Sequence, residues 1–134
     1  DACGTCHMAT SQGNGDGGGH TWKMEYELEG TVSQNIAGCN GTGCHRTVES
    51  FNHWNVKPEI DALVKQLNDE LFRLGIKASS DVTNFSAKAG SFPGDVVAGF
   101  INFQLIGEDK SHGLHNPPYV RNVLKNTITK MKTY

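Results

Sequence analysis

CGTCH, residues 3–7, and CNGTGCH, residues 39–45, hold all four cysteines of this 134-residue chain. In each stretch a histidine directly follows the second cysteine. Cys-x-x-Cys-His is the attachment signature of c-type haem. Its two thiols add across the vinyl groups of one porphyrin, and the adjacent histidine reaches the iron from the proximal side. The Gly4-Thr5 spacer lets the chain turn tightly between the two thioethers. The second motif has a four-residue spacer, Asn40 to Gly43, rich in small residues that still allow both thiols to reach one ring. The reading is two covalently bound haem c groups. Cys3 and Cys6 attach one and Cys39 and Cys44 the other, with His7 and His45 as the proximal iron ligands.

Two rival readings use the same cysteines. Paired Cys-x2-4-Cys knuckles are normal in structural zinc sites, which would make the chain a haem-free zinc-binding module. Disulfides are normal in small secreted domains. Neither accounts for a histidine placed directly after the second cysteine of both pairs.

Composition suits a core filled partly by cofactor. Only 37% of residues are hydrophobic and 16 are glycine, with a mean hydropathy of -0.44. Apolar side chains alone would build a thin core in a chain of this length, and two porphyrins would add large apolar faces. The expected organisation is one domain over residues 1–134. The formal charge of -2 becomes more negative once haem propionates are counted, which argues against nucleic acid or an anionic membrane as partner. No apolar run approaches a membrane span. Thioether attachment of haem takes place after export, so a periplasmic location and a removed signal peptide are expected.

Residues 1–56 show little periodicity. SQGNGDGGGH, residues 11–20, is too glycine-dense for a helix or a central strand and reads as a flexible surface loop. TWKMEYELEG alternates loosely and reads as a short extended piece. From Pro58 the pattern becomes helical. Ile60, Leu63, Val64, Leu67 and Leu71 share one face, giving a helix over about 58–74 that stops at Gly75. Loop signals fill the stretch up to Phe92. A second helix is expected over about 93–106, with Val97, Phe100, Ile101, Gln104 and Leu105 inward. Asn116 is a good N-cap before Pro117, and Tyr119, Val120, Val123, Leu124, Ile128 and Met131 form the stripe of a third helix. The fold class is all-α, a few helices with long loops wrapped around two closely packed haems.

Each iron needs a sixth ligand or an open site. Met8 adjoins a proximal histidine and cannot swing to the opposite ring face. Met131 sits on an apolar helical stripe, where core packing explains it better, and Met24 is undecided. His20 ends the glycine loop and reads either as an iron ligand or as a solvated loop histidine. His115 stands just before a capped helix start, a fixed position suited to holding an imidazole. His53 and His112 read as surface or edge residues.

CGTCHM, followed by GGHTWKM and a second Cys-His motif, resembles consecutive haem segments of multihaem cytochromes c related to pentahaem ammonia-forming nitrite reductase. GFINFQLIGEDKSHGLHNPPYVRNVLKNTI is similar to their closing segment, with its Asp-x-Ser turn and His-Asn-Pro-x-Tyr motif. CHRTVESF and VKPEIDALVKQLNDEL resemble the helix after their last haem motif. The likeness touches most of the chain and is nearest to the small dihaem cytochromes c of metal-reducing bacteria. It implies bis-histidine ligation. His115 would close the haem of Cys3, Cys6 and His7, and His20 would close that of Cys39, Cys44 and His45. The four-residue spacer departs from the family pattern. The lysine-containing attachment motif of the reductases' catalytic haem is missing from this sequence, so their activity is not carried over.

Two six-coordinate haems leave no substrate site. The expected function is then electron transfer through two low-potential haems, without enzymatic activity. Other redox proteins, such as multihaem cytochromes or a terminal reductase, are the expected partners of a monomer. A haem enzyme with one open iron, binding nitrite or peroxide, is the alternative if His20 or His115 is a surface residue.

Overall fold

In the computed structural model, which describes residues 2–41, 45 and 47–134, the helical period read from Pro58 becomes α3, Val56–Arg73. The first six-residue helix α1 is Ala2–His7. The hairpin strands β1 and β2 are Glu25–Leu28 and Thr31–Gln34, and α2 is Ala37–Gly41. After α3 come α4, Gly94–Glu108, and α5, Pro117–Met131. The chain is mostly helical, 52% helix and 9% strand. It divides into two compact units, Asp1–His53 and Trp54–Tyr134.

In the second unit, three helices bury a continuous apolar core. Pro58 lies in the first turn of α3, where a missing N–H costs nothing, and Val56 ahead of it is buried. The helix ends where Gly75 takes φ +80° and donates its N–H to the Phe72 carbonyl at 3.0 Å. α5 starts as its sequence implies, with the Asn116 side chain accepting from the Tyr119 N–H at 3.3 Å and Pro117 in the first position. Ile60, Leu67 and Leu71 of α3, Phe100 and Phe103 of α4, and Leu124, Ile128 and Met131 of α5 form the core. Met131 is a packing residue, 1% exposed. Gly99 lets α4 approach Met131 closely, since a Cβ there would stand 2.9 Å from the Met131 sulfur and push that side chain aside.

The inner face of α4 differs from the expected one. Val96, Gly99, Phe100, Phe103 and Ile106 point inward, while Val97, Ile101 and Leu105 are exposed and Gln104 is half-buried. The helix is apolar nearly all round, so its hydrophobic period carries almost no phase information. The segment after α3 is irregular, as expected, yet it inserts a fully buried lysine. Lys77 Nζ donates to Asn68 Oδ1 and to the Asp81 carbonyl at 3.0 Å, and it stands 4.1 Å from the Phe103 ring centroid. Burial pulls its pKa below the ordinary lysine value, against the pull of Asp81 and Asp69. Phe103 therefore serves both the core and this cation. Phe103→Ala is expected to cost about 3–5 kcal/mol, read as a lower denaturant midpoint of the chain. A loss under about 1 kcal/mol would contradict this packing.

The first unit holds the small antiparallel sheet, with Leu28 paired to Thr31 and Glu25 to Gln34. Glu29 and Gly30 both have positive φ, 51° and 78°. Such a two-residue turn matches the twist of the strands it joins. The extended piece expected at Thr21–Gly30 thus supplies only one strand, and Thr31 onward supplies the other. The glycine-dense loop is held rather than loose. A Cβ on Gly13 would come within 2.4 Å of the Tyr26 ring, and one on Gly17 within 2.2 Å. The missing Cβ atoms let the backbone approach the Tyr26 ring closely from its two sides, at Cε2 for Gly13 and at Cδ1 for Gly17.

Candidate haem-ligand residues

α1 places Cys3, Cys6 and His7 at positions i, i+3 and i+4, so all three side chains share one face of a single helical turn. Cys3 is exposed and Cys6 half-buried, and both are free thiols. His7 Nδ1 lies 2.9 Å from the Trp22 carbonyl oxygen. A carbonyl can only accept, so Nδ1 carries the proton and Nε2 is the nitrogen with the lone pair for a metal. The Trp22 ring also stacks on His7, with centroids 5.6 Å apart and planes 25° from parallel. Trp22 is a positioning residue that the motif reading missed, although it follows directly on the Gly-His-Thr stretch. The donor set and the tautomer both fit a covalently held haem with His7 as its axial ligand.

The second motif is brought against the first. Gly38 in α2 sits so close to α1 that a Cβ would meet the Cys6 Cα at 2.8 Å and the Ala9 Cβ at 2.9 Å. Cys39 follows it directly and is half-buried. Buried Asn35 fastens this junction. Its Nδ2 donates to the Thr10 carbonyl at 3.2 Å, and its Oδ1 accepts from the Ala37 N–H at 3.3 Å. Cys44 lies outside the described residues, so the structure describes this motif through Cys39 and His45. The His45 ring is half-buried, and the His53 ring stands edge-on to it, with centroids 5.3 Å apart. His53, read from sequence as a surface or edge residue, is half-buried and a neighbour of His45.

His20 is exposed, in the tight turn Gly19–Thr21. That turn is well fixed. Thr21 Oγ1 donates to the Gly18 carbonyl at 2.7 Å, and Gly18 is pressed against the Asn35 amide with φ +71°.

His115 belongs to the second unit. Its Nδ1 is 2.7 Å from Asp109 Oδ1, while Ser111 Oγ donates to the other oxygen of the same carboxylate. Burial of Asp109 opposes its ionisation, yet Ser111 and His115 hold its carboxyl below the usual carboxylate range. His112 makes a parallel arrangement with Asp61 at 2.6 Å, and Asp61 is also 3.6 Å from Lys57 Nζ. His112 and Lys110 have positive φ, 50° and 53°, so the chain between α4 and α5 turns tightly before it delivers His115 to the start of α5.

Among the described residues, no group of three or more His, Cys, Asp or Glu side chains is assembled that could hold a bare metal ion, and no helix is long and apolar enough to cross a membrane. Comparison with protein-family models, curated proteins and solved structures returned no match.

Proposed function

We propose that this chain is a periplasmic electron-transfer protein carrying two covalently bound, closely packed haem c groups with bis-histidine ligation. The observation that carries the reading is the single face of α1, where two free thiols and a histidine of fixed tautomer stand together. Cys3 and Cys6 would hold one haem, and Cys39 and Cys44 the other. His7 and His45 would be proximal ligands, and His115 and His20 distal ligands of the first and second haem. The likeness of the motifs and the closing stretch to multihaem cytochromes c supports the distal pairing. The packing of Gly38 on Cys6 supports close spacing of the two attachment segments.

A haem iron supplies reversible one-electron chemistry, with a low potential when both axial ligands are imidazole. The residues do the rest. Cys3 and Cys6 would hold the ring to α1, with Trp22 holding the His7 imidazole and Asp109 the His115 imidazole. With both axial positions filled there is no place for a substrate, so the partners are other redox proteins such as multihaem cytochromes or a terminal reductase. Absorption and electron paramagnetic resonance spectra of the haem-loaded protein test the reading. Both ferric irons are expected to be low-spin and to refuse cyanide and nitrite at ordinary rates. A high-spin signal from a large fraction of the protein would favour an enzyme with one open iron. A colourless protein containing zinc would replace the haem reading altogether.

A further inference from the structure

The loop between α4 and α5 divides one carboxylate between two partners. Asp109 ends α4, accepts from the Ser111 hydroxyl on one oxygen, and meets His115 Nδ1 at 2.7 Å on the other. An ionised carboxylate only accepts, so Nδ1 carries the proton and Nε2 is the nitrogen that would face an iron. An exposed Asp–His pair ordinarily contributes little and would go unremarked. Two features separate this pair from that case. The Ser111 bond holds the carboxylate in place, and the Asn116 cap with Pro117 fixes the backbone that carries the imidazole. The partner of the proximal ring differs in charge: His7 meets the neutral carbonyl of Trp22, whereas His115 meets an anion.

We propose that Asp109 is a positioning residue that lowers the reduction potential of the haem closed by His115, an inference that rests on the ligand role given to His115 above. An anionic acceptor on Nδ1 makes the ring a stronger donor through Nε2. A stronger donor, with a negative charge beside it, favours the ferric iron over the ferrous one. Asp109 thus favours the oxidised state of that one haem and makes it a poorer electron acceptor than it would be without the charge.

The test is a redox titration of the haem-loaded full chain carrying Asp109→Asn. Asparagine keeps an acceptor oxygen for Nδ1 and removes the charge. One of the two midpoints should rise, with its reduction equilibrium shifted about tenfold, ~59 mV for one electron, while both irons stay low-spin. Asp109→Glu, which restores the charge, should bring the midpoint most of the way back. Unchanged midpoints in Asp109→Asn, with His115→Ala still producing a high-spin iron, would overturn the inference and leave the ligand reading standing. If His115→Ala left both irons low-spin, the ligand reading would fail and the inference with it. A midpoint rise that Asp109→Glu does not reverse would mean that loop distortion, not charge, moves the potential, and would also overturn the inference.

Discussion

Replacing His115 with alanine should open one of the two irons in the haem-loaded protein. That iron becomes high-spin in the ferric state, binds cyanide, and shifts to a higher midpoint, because one of its two imidazole donors is gone. The other iron should keep its low-spin spectrum. The expectation rests on how the residue is held. Asn116 caps α5, Pro117 fixes the first helical φ, and Asp109 takes Nδ1. His115 is still accessible, its side chain 58% exposed, so nothing in the second unit buries the ring away from a ligand role. Loss of the iron bond should also loosen the start of α5, seen as faster amide exchange at Tyr119 and Val120. Placing the change in a Cys3→Ser/Cys6→Ser background tells which haem is opened. That variant lacks the first haem, and the remaining iron should stay low-spin when His115 is also replaced. A high-spin signal there would move His115 to the haem of Cys39 and Cys44.

The second large effect concerns the other distal position. His20→Ala should open the second iron, and His53→Ala should leave both low-spin. The fixed turn at Gly18–Thr21 argues for His20, since it presents an imidazole on a rigid base. The edge contact between His45 and His53 makes His53 the competitor. Separate spectra of the two variants decide between them. If His53→Ala gave the high-spin iron and His20→Ala did not, the ligand map would be wrong while electron transfer remained. His112→Ala should leave both irons unchanged, because the motif likeness that points to His115 and His20 gives His112 no ligand role.

Legibility in the sequence followed the strength of the local signal. Residues in α3 and α5 announce themselves through amphipathic period, a stop at Gly75, and the Asn116-Pro117 start. Each was readable because one face is polar. α4 was placed but not phased, since a helix that is apolar on most sides offers no contrast from which to choose an inner face. The hairpin was half visible. Glu29-Gly30 is a poorer turn signal than Asn-Gly, and the second strand carries no strong alternation. The glycine loop was read as mobile because nothing local shows that Tyr26 lies against Gly13 and Gly17. Lys77 could not be read as a core residue from sequence, as burial of a lysine depends on Asn68, Asp81 and Phe103 arriving from elsewhere.

The candidate site divides in the same way. Cys3, Cys6 and His7 are a local motif, and one helical turn is enough to align them. The residues that orient the imidazoles are not local to the attachment motifs. Trp22 reaches His7 from beyond the glycine loop, and Asp109 reaches His115 across a tight turn. The contact of His53 with His45 was not legible for the same reason, because an edge contact between two rings has no spacing signature.

The central claim is that each cysteine motif holds a haem by both of its thiols. Intact-mass measurement of the purified, denatured protein tests it most directly, since thioether bonds survive denaturation and axial iron bonds do not. The mass should exceed that of the polypeptide by two haems. An excess of one haem would remove the reading of Cys39 and Cys44, and a bare polypeptide mass would contradict the account as a whole.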